Sequence, residues 1–558
     1  MTKHIDPTSP HDRRVGLTLV IYGLLAVLSA LMLYVALPGC EHWYLSFVAL
    51  VPLLVVLQRA PARTGVLVAW LAGLFFFLLA VSWLNRLTPI GWVALAFYLS
   101  LSFAVFALTV IALTAGRLKV PFVLAVPLTW VVVEFLRGLP LGGFCWHYVG
   151  HNLYRQTMLI QVADFSGVYG VSFLAVTVNA LLARVLQQGF CGTILKRRQL
   201  VRVGLATAYT AALLVGVAVY GGRRLAEARP TAGPRVSVVQ GNIPQDIKEY
   251  AQSITWEQCL EKREYILDTY TTLTERLLLV KDDLVVWPET VVPVLEGEIW
   301  REHDYSAASR RRVRDLRRKL GRPFLVGSVK RVRDDRDLRD YNAAYLFPTD
   351  DGPFEVYLKI NLVPFGEYIP FRSVGWIETM LRWFLPEGYL AELSAGTERV
   401  LFRADDVPFA TPICYEDTTP SLIREFRRDG ARFIVNLTND GWFGDTVELD
   451  QHMANSVFRT VENRVGLVRA ANTGISAFID PRGVITSFLS DEKTGRYREV
   501  PGVLTGTVYL DDRRTFYTAR GDVFIWTASG LVGVLVVVRL VSGPSPCTRG
   551  TRRSKGRT

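Results

Sequence analysis

Thr411-Pro-Ile-Cys-Tyr-Glu416 places a thiol, Cys414, directly after an apolar run, residues 407–413, that reads as a β-strand. Two earlier segments have the same form: Trp287-Pro-Glu289 closes the run 284–287, and Tyr357-Leu-Lys359 ends in a lysine. In chain order the three supply a carboxylate, an ammonium and a thiol at strand edges. A thiol attacks only as thiolate, so it needs a base to take its proton and a cation to stabilise the anion. Singly, each residue has an ordinary alternative: a core cysteine or a solvated surface charge. As an ordered set they describe an acyl-transferring cysteine. Glu289 would serve as general base and then general acid, Cys414 as nucleophile, and Lys359 as stabiliser of the thiolate and then of the oxyanion, with the backbone N–H of Tyr415. The three lie too far apart in sequence for a local motif, so only a folded sheet can bring them together. Pro288 cannot donate a ladder hydrogen bond, and is expected to end its strand and leave Glu289 at the tip.

The surrounding pattern is that of an α/β domain. After a basic, Pro/Gly-rich linker at 221–234, short β-branched runs at 236–239, 284–287, 324–326, 344–347, 433–437 and 477–479 read as strands, and 256–280 and 306–320 as amphipathic helices with charged outer faces.

The remaining chain is a membrane protein's. Half of the 558 residues are hydrophobic. About 20 apolar residues cross a bilayer as a helix, and such runs occur at 16–37, 43–57, 65–84, 91–115, 120–136, 159–186, 203–220 and 523–541. The runs 43–57 and 120–136 are short, with buried non-spanning helices as the alternative. Lysine and arginine in short loops stay cytoplasmic. An inside N-terminus puts Arg59, Arg63, Arg117, Lys119, Arg184, Lys196, Arg197, Arg198, Arg202 and the basic tail 549–557 on that side, and leaves only Arg86, Arg137 and Arg155 opposite. The expected organisation is a membrane domain, 1–220, with about seven transmembrane helices; an extracytoplasmic catalytic domain, 221–521; and a C-terminal transmembrane helix with a basic cytoplasmic tail, 522–558. The net charge of +12 then meets anionic lipid headgroups, and no nucleic-acid motif is present. Leu37-Pro-Gly-Cys40 looks like a lipoprotein processing box, but the proline and the long apolar run before it favour an uncleaved anchor. Six widely spaced cysteines give neither a disulfide framework nor a zinc spacing. His147 and His151 lack the glutamate of a metalloprotease helix and read as interfacial polar residues. Glu134 and Arg137, charges at the end of a span, are functional candidates by position.

The order Glu, Lys, Cys, with Trp287-Pro-Glu289, a lysine ahead of Gly366-Glu-Tyr-Ile-Pro370, and Cys414-Tyr-Glu416, resembles the carbon-nitrogen hydrolase (nitrilase) superfamily, and in particular its membrane-embedded branch, the apolipoprotein N-acyltransferases. Val239-Gln-Gly-Asn-Ile-Pro-Gln245, Leu362-Val-Pro-Phe-Gly-Glu-Tyr368, Asn439-Asp-Gly-Trp-Phe-Gly444 and Arg469-Ala-Ala-Asn-Thr-Gly474 belong to the same resemblance, which runs over 236–510. It implies a polytopic α-helical membrane domain joined to an α/β, nitrilase-like four-layer α-β-β-α sandwich. It also implies active-site positions for Glu367, Tyr415 and Glu416; the alternative for the two carboxylates is an ion pair that orients Lys359.

The implied reaction takes an acyl chain from a glycerophospholipid, through a thioester on Cys414, to the α-amine of the diacylglyceryl-cysteine of an apolipoprotein. No cofactor or metal is expected, and the chain would act as a monomer in a bacterial inner membrane with its catalytic domain in the periplasm. The alternative is a membrane-tethered amidase or nitrilase that passes the thioester to water. Between Lys359 and Cys414, residues 373–385 carry Trp376, Trp383 and Phe384, an apolar arm suited to lipid; its alternative is an ordinary core helix. Trp442 is a further candidate lipid or substrate contact. One departure is that Lys248-Glu-Tyr250 follows the Gln-Gly-Asn-Ile-Pro-Gln segment where members of that family often carry a tryptophan; the first here is Trp256. The loop charges predict that a reporter fused after Tyr220 reads extracytoplasmic and one fused at Thr558 reads cytoplasmic; the same side for both would refute the count of eight spans.

Overall fold

The computed structural model describes residues 10–542, apart from 116–118, 140–142, 190–196, 228, 246, 248–255, 297–299, 335–336, 351 and 371–392. Trp376, Trp383, Phe384 and most of Lys248-Glu-Tyr250's neighbourhood, including those three residues, therefore lie outside the described residues.

Among the described residues, twelve strands form two six-stranded sheets. The first contains β1 (Thr231–Gln240), β2 (Leu284–Glu296), β3 (Phe324–Asp334), β4 (Asp337–Phe347), β5 (Glu355–Leu358) and, at its other edge, β12 (Gly502–Leu510), in the order β12-β1-β2-β3-β4-β5. The second contains β6 (Leu401–Ala404), β7 (Val407–Ala410), β8 (Phe433–Thr438), β9 (Gly466–Ala471), β10 (Ala477–Ile479) and β11 (Ile485–Phe488), in chain order across the sheet. Strand side chains alternate between faces, and that period sorts the core. Val236, Val238, Leu284, Val286, Leu325, Ala344 and Leu346 pack toward the second sheet, with Phe409, Ile434 and Leu467. Val239, Val285, Trp287, Phe324, Val326, Tyr345 and Phe347 face the other way, against Ile266, Leu267 and Tyr270 of the helix Trp256–Glu275 and Val313 and Leu316 of Trp300–Leu320. The helices Pro420–Asp429 and Glu448–Asn463 cover the second sheet. The result is the four-layer α-β-β-α sandwich.

Pro288 does not end β2. The strand continues to Glu296, but its pairing with β3 breaks between Trp287↔Val326 and Val292↔Ser328, so β2 makes an excursion there. Thr290 takes φ 49° within it. Opposite lies Gly327, where an added Cβ would stand 2.2 Å from the Pro288 carbonyl oxygen. Pro288 contributes no ladder donor, so a bulge accommodates it at no cost in hydrogen bonds, and Glu289 is carried out of register.

Six helices among the described residues are long and apolar enough to cross a membrane: Val15–Val35, Ala62–Ala80, Pro89–Thr114, Val168–Gln188, Arg197–Glu227 and Val523–Val541. Leu24, Leu205, Val215, Val534 and Leu540 leave their apolar faces exposed, as lipid-facing surface requires. The two short apolar runs form shorter elements. The first is the turn Trp43–Phe47 with the nine-residue helix Val51–Arg59, whose Leu53, Leu54 and Val56 are fully buried; the second is the 16-residue helix Phe122–Arg137. The run 159–186 breaks at Gly167, with φ 64°, before the long helix resumes at Val168.

Charge joins the helices to the sandwich. Arg464 is fully buried and donates from Nη2 to Asp164 Oδ2 at 2.7 Å and from Nη1 to Gln161 Oε1 at 2.7 Å. Asp164 also accepts from Tyr220 Oη at 2.6 Å and Arg224 Nε at 2.7 Å. Breaking a buried pair by removing one partner typically costs about 3–5 kcal/mol. Asp164→Ala is therefore expected to lower stability by about 3 kcal/mol or more, seen as a reduced thermal-unfolding midpoint in detergent; an unchanged midpoint would show that the Arg464 charge is solvated.

Candidate active site

Lys359 follows β5 and is 1% exposed. Its Nζ lies 2.8 Å from Glu367 Oε1 and 3.8 Å from Glu289 Oε1. Burial opposes its charge, but the Glu367 and Glu289 carboxylates outweigh burial and hold the ammonium above the ordinary lysine range. Asn342, on β4, ties the two acids together: its Nδ2 donates to Glu289 Oε1 at 2.7 Å and to Glu367 Oε1 at 3.2 Å. The second Glu367 oxygen accepts from Val363 N–H at 2.8 Å, which closes the loop after Lys359.

Cys414 opens a single tight turn, Cys414–Thr418, after β7, and takes φ 51°, a left-handed backbone that a non-glycine residue adopts only when its surroundings impose it. Asn436 Nδ2 donates to the Cys414 carbonyl at 3.1 Å. Burial, and then the Glu289 charge, push the thiol well above its ordinary pKa; Lys359 and the Thr438 hydroxyl pull it down. The resting group is therefore a thiol that needs a base at the moment of attack, and the carboxylate whose field acts on it most strongly is Glu289.

Glu416 is fully buried and accepts five hydrogen bonds: Tyr357 Oη reaches both oxygens at 2.9 and 3.0 Å, Ile360 and Asn361 N–H give 2.7 and 2.9 Å to Oε1, and Ile413 N–H gives 2.7 Å to Oε2. It fastens the lysine segment of the first sheet to the cysteine turn of the second. Burial raises its pKa to about 7 against the pull of these donors. Tyr415 turns the other way. Its hydroxyl donates to the Gly143 carbonyl, and its ring lies parallel to Trp146 at 6.4 Å, so membrane-side residues cover the cysteine turn.

A buried charged cluster underlies the turn. His452 Nε2 lies 2.8 Å from Asp417 Oδ1 and its Nδ1 3.1 Å from Asp440 Oδ1; Arg469 Nη2 donates to Asp440 Oδ2 at 2.8 Å, and Ser456 Oγ donates to Asp417 Oδ2 at 2.5 Å. Burial and Arg469 oppose protonation of His452, but Asp417 and Asp440 outweigh them and raise its pKa to about 10. Asp440, Glu448 and His452 offer ligand atoms within 4.8 Å of one another, but Arg469 already supplies positive charge to that set. The sequence motifs converge here too: Asn472 Nδ2 donates to Ile243 O and to Asn439 Oδ1, both at 2.9 Å, and Asn439 Nδ2 donates to Gln245 Oε1 at 2.9 Å.

The structure thus brings together Glu289, Lys359, Glu367, Cys414, Tyr415 and Glu416. Trp442 lies 39% exposed beside Phe443, which packs edge-on to Trp83 at 4.7 Å. His147 and His151 are buried rather than interfacial: His147 bonds to Gln451, and His151 stacks on Tyr148 and meets Phe458. Sequence reasoning missed Asn342, Thr438 and the buried charges. The available signals were an asparagine within the strand Tyr341-Asn-Ala-Ala344 and an arginine within Gly466-Leu-Val-Arg-Ala-Ala471, each a polar group in a run otherwise suited to a core.

Residues 29–181 match the family model described as the apolipoprotein N-acyltransferase N-terminal domain, and residues 235–517 match that of the carbon-nitrogen hydrolases. The chain is 32% identical over 531 residues to the apolipoprotein N-acyltransferase of Geobacter metallireducens, covering 93% of this chain and 94% of that one. It is 30% identical over 550 residues to the protein of the same name from Chlorobaculum tepidum, covering 93% and 96%. To that of Bradyrhizobium diazoefficiens it is 32% identical over 479 residues, covering 82% and 81%.

The Glu416 bonds yield a prediction. In Glu416→Gln the amide NH2 must face a backbone N–H, either that of Ile413 or those of Ile360 and Asn361. Such an unsatisfied buried group costs about 1–3 kcal/mol, to be read from denaturant unfolding; wild-type stability would show that the carboxylate is protonated and replaceable.

Proposed function

The chain belongs to the apolipoprotein N-acyltransferase branch of the carbon-nitrogen hydrolase family, and from this we propose that it moves an acyl chain from a membrane glycerophospholipid, through Cys414, to the N-terminal amine of a diacylglyceryl-cysteine lipoprotein. Glu289 takes the proton from Cys414 Sγ as the sulfur attacks the ester carbonyl. The oxyanion of the tetrahedral intermediate faces the Lys359 ammonium. Collapse breaks the acyl C–O bond, Glu289 returns its proton to the departing oxygen, and a lysophospholipid leaves with the acyl group held as a thioester. The lipoprotein amine then attacks the thioester carbonyl and gives a proton to Glu289; collapse forms the amide and expels the Cys414 thiolate, which takes that proton back from Glu289 and restores the resting thiol. Glu367, at 2.8 Å, is a nearer partner of Lys359 than Glu289, at 3.8 Å, so the ammonium keeps a counter-charge while Glu289 gains and loses its proton.

One observation carries the reading: the cysteine turn, whose thiol is raised by burial and overseen by Glu289 and Lys359, is roofed by a membrane-side loop through Tyr415, Gly143 and Trp146. A nucleophile covered from the membrane side suits a donor that arrives from the bilayer. Six apolar helices make the chain a membrane protein. The bacterial inner membrane, with the sandwich on the periplasmic side, is the setting this reaction requires. The division at 220 and 521, and the assignment of eight crossings, are part of the same proposal.

Purified protein incubated with acyl-labelled phospholipid should form a labelled enzyme that persists until an amine acceptor is added. Rapid release of free acid would indicate a hydrolase instead, and no label a non-catalytic scaffold. Cys414→Ala and Cys414→Ser should abolish the label, and Glu289→Gln should nearly do so, because an amide keeps the shape but accepts no proton. Lys359→Arg should also fail, because a planar fork is a poor substitute for a point charge aimed at one oxygen. Normal turnover by Cys414→Ala would exclude covalent catalysis at this residue.

A further inference from the structure

Gln451, in the first turn of the helix Glu448–Asn463, is 2% exposed, and its side-chain oxygen accepts from Trp83 Nε1 at 3.2 Å, Trp146 Nε1 at 3.3 Å and His147 Nε2 at 2.9 Å. Indole N–H groups only donate, so the atom facing both tryptophans must be the oxygen. Burial lowers the His147 pKa to about 3, so its ring is neutral and the Nε2–H meets the same oxygen. The Gln451 Nε2 has no hydrogen-bond partner. The side chain is used for its acceptor alone.

Its three donors come from two membrane-side segments: the turn Ser82–Arg86, which follows the helix Ala62–Ala80, and the loop 143–149. The loop is held from its far side as well. Arg137 Nη2 donates to the carbonyls of Trp146 and His147 at 2.7 and 3.1 Å, and Glu134 Oε1 accepts from Val149 N–H at 2.8 Å. Held between these anchors, the loop presents the Gly143 carbonyl to the Tyr415 hydroxyl and lays Trp146 parallel to the Tyr415 ring, 10° between planes. Tyr415 adjoins Cys414 at its left-handed backbone. The residue after Gln451, His452, pairs with Asp417 and Asp440 beneath the same turn.

We propose that Gln451 is a positioning residue for the acylation of Cys414: its carbonyl sets the loop 143–149 against Tyr415 and so fixes the turn from which the thiol attacks. The inference rests on Cys414 being the nucleophile. Without the acceptor, three buried N–H groups lose their partner at once, and the loop must shift to find others. A misplacement of about 1 Å at a reacting group costs on the order of a hundredfold in rate.

The test uses the full chain in detergent micelles and two donors, a glycerophospholipid with a labelled acyl chain and the water-soluble ester p-nitrophenyl butyrate. Gln451→Met keeps length and removes the acceptor; Gln451→Glu keeps an acceptor oxygen and exchanges the unpartnered NH2 for the second oxygen of a carboxyl, whose charge burial disfavours. Gln451→Met is expected to slow saturating acylation of Cys414 by about tenfold or more with both donors, with little change in KM, and Gln451→Glu to recover most of the rate. A wild-type rate in Gln451→Met, a loss confined to the phospholipid KM, or no rescue by Gln451→Glu would each overturn the proposal. If Gln451→Met does not fold, Trp83→Phe and His147→Phe each remove one donor and should each slow acylation with both donors; wild-type rates in both would likewise overturn it. Failure of the wild-type chain to form an acyl-enzyme would instead refute the nucleophile assignment.

Discussion

The burial of one ammonium governs the architecture of the site. Lys359 is almost wholly removed from water, and a buried cation without partners costs several kcal/mol. Glu367 reaches it from the loop directly downstream. Glu289 cannot do so from a regular strand, because β3 and β4 separate β2 from β5 in the sheet order. The excursion of β2 after Trp287 moves it across, and Gly327 leaves room for that excursion on β3. Asn342 on β4 fills the remaining gap with two hydrogen bonds. Four separate sequence features are thus consequences of solvating one charge inside protein. Glu416 extends the same logic to the second sheet, since its four donors come from both sides of the sandwich.

The electrostatics keep two tasks apart. Lys359 remains charged because two carboxylates face it, whereas burial holds Cys414 protonated at rest. A thiol in that state reacts only when base, carbonyl and cation are aligned together. Asp417, Asp440, His452 and Arg469 lie outside that arrangement and balance one another's charge. They stiffen the ground beneath the cysteine turn and have no part in the bond changes proposed for it.

An α/β domain and the candidate residues were legible in the sequence because strand ends and short motifs carry local signals, whereas the four-layer sandwich was legible only through the family resemblance. Trp287-Pro-Glu289 and Cys414-Tyr-Glu416 mark their own positions, and apolar runs mark the helices. β5, β6, β7 and β11 have four residues each, too few for periodicity to register, although the run before Cys414 was read as strand-like. Pro288 misled because a proline excludes a ladder bond without stating whether the strand stops or bulges. The short runs 43–57 and 120–136 have the composition of spans, but the first forms a turn and a nine-residue helix and the second a 16-residue helix. Gln451 was illegible for a different reason. The partners of Gln451 stand some three hundred residues away, and nothing in a single chain's spelling pairs it with Trp83 or Trp146.

Every residue of the helix Glu448–Asn463 is buried, between the second sheet on one side and membrane-side residues such as Trp146, His151 and Val168 on the other. A surface helix of a soluble domain keeps a polar face for water; this one has none to keep. The order in which the chain leaves the ribosome suits that condition, since the helices that cover this element are made first and can be in place when it arrives. Biogenesis therefore has a direction: the sandwich is completed on a platform already installed, and the same sandwich produced without its platform would display a buried helix to solvent and be prone to self-association.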